Sequence, residues 1–303
     1  TQRTVSASNI QFAKSAASDR RYYFESQLAY ERLFNQEHRV TGLIHYYMQS
    51  TETTEANDEI SSIPKRYQAL SARATYSYKD AYLIEGNVGY TGSENFEPGK
   101  QFGLFPAIAL GWIPTQYEFM QNHAGWLNFL KIRASYGEVG NQSGIDRYDG
   151  TQFYKFESQS GAYIGPNKGT IIDTNGKIAS LGREWERIKN YNLGLDFSLF
   201  NSRLTGTAEV YMKRNDNMLI NVSYPGVLGD NAGMSNNGKF RSHGWEVMVN
   251  WSDKIGKDFT YHIGGTYSFN TNKLTDIGAV SVLKSGFVDK QQGYPLNSIF
   301  GLR

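Results

Sequence analysis

The chain has 303 residues, with 21 Tyr, 17 Phe and 31 Gly against only 7 Pro and no Cys. Aromatic residues make up 14% while the mean hydropathy is a polar −0.53, a balance that suits a sheet greasy on one face and polar on the other. The missing cysteines exclude a disulfide scaffold and a thiolate metal site, and the scattered net charge of +2 argues against a nucleic-acid surface. No run approaches the ~18 apolar residues of a membrane-spanning helix.

Thr1–Arg20 is polar and reads as loop. Tyr22, Phe24, Leu28 and Tyr30 then alternate with Glu25, Gln27 and Glu31, a turn follows at Asn35–His38, and Val40, Gly42, Ile44, Tyr46 and Met48 alternate with Thr41, His45 and Gln49. A period of two places each set on one face of a strand, so this is a hairpin. Thr51–Lys65 is long and acidic. Leu70, Ala72, Ala74 and Tyr76 form the next strand, Lys79-Asp80 a turn, and Tyr82, Ile84, Gly86, Val88 and Tyr90 the return.

After a loop over Thr91–Gly103, Phe105–Ile113 sets Pro106, Ile108, Leu110 and Trp112 against Ala107, Ala109 and Gly111. Thr115–Leu130 reads as an elaborated aromatic turn. In Lys131–Gly137, Ile132, Ala134 and Tyr136 oppose Lys131, Arg133 and Ser135. A long polar segment runs from Asn141 to about Trp185. Tyr191–Leu199 and Leu204–Met212 form a hairpin around Asn201-Ser202. A loop is expected over Arg214–Lys239, then strands over Gly244–Trp251 and Phe259–Phe269 around a turn near Asp253–Asp258.

The alternation gives about ten strands, with the start of an eleventh at Ile299–Leu302. Connections alternate short and long, so the long ones gather at one end of the sheet. An outer-membrane barrel segregates its loops in this way, with short periplasmic turns and long extracellular loops. Tyr22, Tyr46, Tyr76, Tyr82, Tyr90, Trp112, Trp251 and Tyr267 fall where interfacial aromatic girdles sit. Glu25, Arg73, Glu85, Arg133, Asp196, Glu209 and His262 share the other face. The fold expected is all-β, an antiparallel transmembrane β-barrel; the rival is a soluble all-β module in which these charges are the solvent face.

Leu104-Phe-Pro-Ala-Ile-Ala-Leu-Gly-Trp112, Trp126–Gly137 and Gly140-Asn141-Gln142 closely resemble the SusC/RagA-type TonB-linked outer-membrane transporters. Trp185–Phe197, Arg203-Leu204, Pro225-Gly226, Asn237-Gly238-Lys239, Gly244-Trp245-Glu246 and Gly293–Leu296 continue the resemblance in the family's order. It implies a 22-stranded barrel around an N-terminal plug, of which residues 1–303 are part of the wall. On that expectation the plug, the TonB box and the closing C-terminal strands lie outside this stretch. The resemblance also implies TonB-dependent import of an oligosaccharide or peptide across the outer membrane of a Bacteroidota cell. TonB–ExbB–ExbD would supply the energy and a SusD-type surface lipoprotein the lid. A non-transporting structural or adhesive barrel is the alternative.

No residue pattern points to catalysis or a cofactor. His38, His45, His123, His243 and His262 lack ligand spacing, and Asp58-Glu59 belongs to no calcium loop. Glu184 and Glu186 flank Trp185 on one strand face, a spacing open to a carboxylate pair; the family resemblance implies a loop-to-strand junction instead. Asn141, Asn221 and Asn250 match the glycosylation tripeptide, the last inside a strand, and all three are discounted. Phe153, Tyr154, Phe156 and Tyr163 of the long segment offer ring faces for a ligand, or for packing within the loop or against the lid; substrate-binding residues are left unassigned.

Overall fold

The computed structural model describes residues 18–53, 62–145, 147–148, 150–152, 154–157, 163–164, 167–168, 171–173, 178–221, 227, 233–278, 282–283, 290–296 and 298–300. Ten strands dominate: β1 (Asp19–Phe34), β2 (His38–Thr53), β3 (Lys65–Tyr78), β4 (Tyr82–Ser93), β5 (Phe102–Trp112), β6 (Leu127–Asn141), β7 (Glu186–Leu199), β8 (Leu204–Asn221), β9 (Met234–Ile255) and β10 (Phe259–Ile277). They form one antiparallel sheet in chain order, a meander with no crossover. Between β5 and β6 lie a 3₁₀ turn at Pro114–Gln116 and a short helix, α1 (Glu118–His123).

Register settles the two faces. One row runs Leu28, Ile44, Ala72, Val88, Pro106, each the Cα partner of the next. Another runs Trp112, Ile132, Leu195, Ala208, Val247, Tyr267 across the other half. The large apolar residues of this face are open: Leu28 is 68%, Ile108 49% and Ile263 67% exposed. All eight expected girdle rings share this face. A predominantly apolar face across ten strands, broken by single polar residues such as Ser26 and His243, is far larger than a soluble monomer leaves open. The sheet therefore has a solvent-opposed apolar face where a sandwich would have a core.

The tight turns explain the short connections. Asn35 and Gln36 (φ 48° and 58°) and Lys79 and Asp80 (φ 51° and 49°) occupy the left-handed region, as type I′ hairpins require, because that handedness matches strand twist. Glu37 N–H donates to Phe34 O at 3.1 Å and Ala81 N–H to Tyr78 O at 3.0 Å, closing each turn. At the third, Phe200, Asn201 and Ser202 all have positive φ. Phe200 tolerates it because its N–H donates to Trp126 O at 2.7 Å and its ring meets Trp126 and Trp251.

The strands differ from expectation at the long-connection end, where most run further. β1 begins at Asp19, β2 extends to Thr53, β4 to Ser93 and β8 to Asn221, and β9 starts at Met234. Most of the loop expected over Arg214–Lys239 is thus strand. Its Asn and Gly residues are accommodated by register shifts between Asn215 and Met218, between Met218 and Ile220, and between Lys239 and Phe240. The girdle rings consequently sit within strands that continue past them. Of the eleventh strand expected from Ile299, Ile299 and Phe300 are not in a strand, and residues 301–303 lie outside the described ones.

Candidate functional site

The second face of the sheet is polar, and its central charges are paired. Arg133 Nε donates to Asp196 Oδ2 at 3.2 Å and Nη1 to Asn192 Oδ1 at 3.3 Å, while Nη2 bonds Glu209. Asn192 Nδ2 donates to Glu209 Oε2 at 3.0 Å and Thr207 Oγ1 to Asp196 Oδ1 at 3.1 Å. One cation thus holds two carboxylates from two strands. Gly194, opposite Arg133, gives it room: a Cβ there would stand 2.6 Å from the guanidinium carbon.

Two smaller pairs lie across the same face. Arg73 meets Glu85 at 2.8 Å, with Asn87 Nδ2 donating to the second Glu85 oxygen at 2.7 Å. His45 Nε2 lies 2.8 Å from Glu25 Oε1, whose other oxygen accepts from Tyr23 OH at 2.8 Å. Between the Arg73 and Arg133 groups, a cleft of about 360 Å³ opens over the small residues Ala109 and Gly111, with Glu85, Lys131 and Arg133 at its walls. The bare positions of β5 thus become the floor of a polar trough. Every charge expected on this face is found there.

At the long-connection end the polar face terminates in a packed rim. Phe96, Ile145, Trp185 and Leu219 are buried together, with Phe105 and Met234 against them. These residues come from two connections and three strands. Trp185 Nε1 donates to Gln101 O at 3.1 Å. Beside it Glu186 is buried and accepts from Asn141 Nδ2 at 2.8 Å, Asn215 Nδ2 at 3.3 Å and the Leu219 N–H. Asn217 Nδ2 donates to Trp185 O at 2.7 Å, and Asn236 Nδ2 to Glu184 O at 2.9 Å. Lys100 binds Glu184 at 2.9 Å. A buried carboxylate with three donors is a structural clamp, since removing it strands each donor.

Further along the rim, Ile220, Leu274 and Ile277 form a second buried cluster, joined by Leu296. Asp276 lies beyond the apolar rows; Lys239 at 2.9 Å, then the Gly278 N–H, hold its carboxyl below the usual range.

Sequence reasoning placed some of these residues and missed others. Glu184 and Glu186 do not form a reactive pair: one bonds Lys100 at the surface, the other is locked in the rim. His38 opens β2 and stacks on Tyr76, and His243 lies in β9 on the apolar face, far from His45 in the sheet order. His262 lies on the polar face opposite Ser252. Among the described residues no three His, Asp or Glu gather as a metal site. Tyr154 is exposed. Phe156 and Tyr163 lie in short paired strands, Lys155–Glu157 with Ile171–Asp173 and Tyr163–Ile164 with Asn167–Lys168. Phe153 and Asp58-Glu59 lie outside the described residues. The rim clamp was not foreseen; a Glu beside a Trp at a strand start was its only local signal.

The one-sided apolar sheet, paired polar face and segregated connections define the wall of an antiparallel barrel of outer-membrane type. The family model described as TonB dependent receptor-like, beta-barrel, matches residues 2–299, and the chain belongs to that family of outer-membrane receptors. The soluble-module alternative falls with this membership. The chain is 28% identical to TonB-dependent receptor P39 of Formosa agariphila, covering 100% of this chain and 31% of that protein. It is 30% identical over 207 residues to TonB-dependent receptor SusC of Bacteroides thetaiotaomicron, covering 68% of this chain and 20% of that protein. Its fold is similar to the RagAB peptide importer in the closed-closed state, with TM-score 0.75 and 20% identity, covering 93% of this chain and 33% of that one. The chain therefore spans about a third or less of these relatives. They are receptors and transporters rather than enzymes.

Proposed function

We propose that this chain is part of the barrel wall of a TonB-dependent transporter that imports an oligosaccharide or peptide across the outer membrane. The observation that carries the reading is the division of the sheet into a predominantly apolar face and a polar one that carries ion-paired charges. Apolar residues at Leu28, Ile108 and Val210 meet lipid, and the Arg133 and Arg73 groups line the interior. The short turns point to the periplasm and the clamped rim to the cell surface. Within the whole receptor, a plug fills the interior, TonB–ExbB–ExbD drives it, and a SusD-type lipoprotein covers the rim. Similarity to SusC and to the RagAB peptide importer supports this assignment.

Deleting the full-length gene and measuring growth on defined glycans and peptides tests the reading. Loss of growth on one cargo class, with a SusD-type lipoprotein co-purifying with the tagged receptor, is the expected result. Unchanged growth on all of them, with no such lipoprotein recovered, counts against it.

A further inference from the structure

The β5–β6 connection is the elaborated one among the five short-end connections. Its inner side is closed: Ile113, Pro114 and Thr115 are buried, and Leu130 N–H donates to Thr115 Oγ1 at 3.2 Å. Several of its backbone bonds close within the connection, with Tyr117 N–H donating to Pro114 O at 3.1 Å, Met120 N–H to Tyr117 O at 3.0 Å, Ala124 N–H to Met120 O at 2.9 Å and Leu127 N–H to Ala124 O at 2.8 Å. The groups so paired do not depend on water.

The rings of this connection project the other way. Tyr117 meets the ring of Tyr82 edge-on at 6.2 Å, and Tyr82 is the register partner of Trp112 on the apolar face. Phe119 packs on Tyr117 at 5.9 Å and is still 58% exposed. At the far end of the connection Trp126 is 56% exposed and meets Phe200, which continues to Trp251. The apolar face therefore runs off the ends of the strands onto this connection. Exposed Gln116, Glu118 and Asn122 lie among the rings. Rings beside polar side chains at the edge of an apolar belt suit the zone between hydrocarbon and water.

We propose that the β5–β6 connection is a membrane-surface anchor. Tyr117, Phe119 and Trp126 occupy the phospholipid headgroup layer of the leaflet reached by the short turns, and so fix the depth of the barrel. This rests on the reading of the sheet as a membrane wall, and its occupant is lipid because the connection continues the lipid-facing surface. A periplasmic protein or the receptor's own plug is the competing occupant.

The test uses the full-length receptor in phosphatidylcholine vesicles, with an environment-sensitive fluorophore on Phe119→Cys or Ile108→Cys. Quenchers are a lipid with a nitroxide near its headgroup, one with a nitroxide near its chain end, and aqueous iodide. At Phe119 the headgroup nitroxide quenches most; at Ile108 the chain-end nitroxide does. If Ile108 is quenched by iodide instead, the membrane-wall reading fails. If Ile108 behaves as stated while Phe119 is quenched mainly by iodide, or by none of the three, the anchor alone is overturned. Should Phe119→Cys fold poorly, Trp126→Phe decides. The variant must show a smaller headgroup-quenched part of the tryptophan emission, the remainder coming from girdle rings such as Trp112 and Trp251; an unchanged quenched part contradicts the anchor.

Discussion

The guanidinium of Arg133 lies over Gly194, its register partner on the neighbouring strand, at a separation a Cβ would not permit without displacing it. That absence of a side chain is what lets one arginine reach Asp196, Glu209 and Asn192 together. Gly194→Val should push the guanidinium aside and cost about 1–2 kcal/mol, because a flexible side chain absorbs part of the clash while losing its bonds. Denaturant unfolding of the full-length receptor measures this. A midpoint equal to wild type would mean the close approach has no energetic role.

Arg133→Met leaves two half-buried carboxylates without their shared cation. The Arg133 side chain is 29% exposed, so screening is partial and the expected loss is about 1–3 kcal/mol. Combining it with Gly194→Val should give less than the sum, since both remove the same contacts. Additive losses would contradict a shared origin.

The rim clamp predicts a graded response. Glu186→Ala strands the Asn141, Asn215 and Leu219 donors in a buried site and should cost about 2–4 kcal/mol, whereas Glu186→Gln keeps one acceptor and should cost less. Because the clamp joins the starts of two long connections, limited proteolysis near residues 142–185 and 222–233 should accelerate in Glu186→Ala. A cleavage rate in Glu186→Ala equal to that of wild type would show that the clamp does not hold the rim.

Gln36 sits at φ 58°, where glycine is favoured, directly after Asn35. Gln36→Gly makes the Asn-Gly pair that type I′ turns prefer and should stabilise the β1–β2 hairpin by about 0.4–1 kcal/mol. Refolding in detergent micelles, followed by urea titration, provides the measurement; a destabilised variant would contradict the turn assignment.

Much of this architecture is legible from alternation alone, because alternation holds along each strand: Ile108 and Ala109 fall on opposite faces whatever the loops do. The strand extensions were hidden because Asn215, Asn217, Asn236 and Gly238 carry loop-like composition. Their pairing depends on bulges and on side-chain bonds across the rim. The clamp itself was illegible. Trp185 meets Gln101, and Lys100 meets Glu184, across more than eighty residues of sequence, and no local pattern encodes contacts at that range.

The face assignment on β5 carries the whole account. Charge placement gives one energetic consequence: Ile108→Arg should cost about 2–4 kcal/mol as a lipid-facing charge, while Ala109→Arg, next to Glu85, should cost about 1 kcal/mol or less. The most direct measurement is spin labelling of Pro106 through Gly111, one site at a time, in the membrane-embedded full-length receptor, reading collision with dissolved oxygen. Oxygen accessibility should be high at Pro106, Ile108 and Leu110 and low at Ala107, Ala109 and Gly111, a period of two. Uniform accessibility along the strand, or the opposite phase, would contradict the membrane wall.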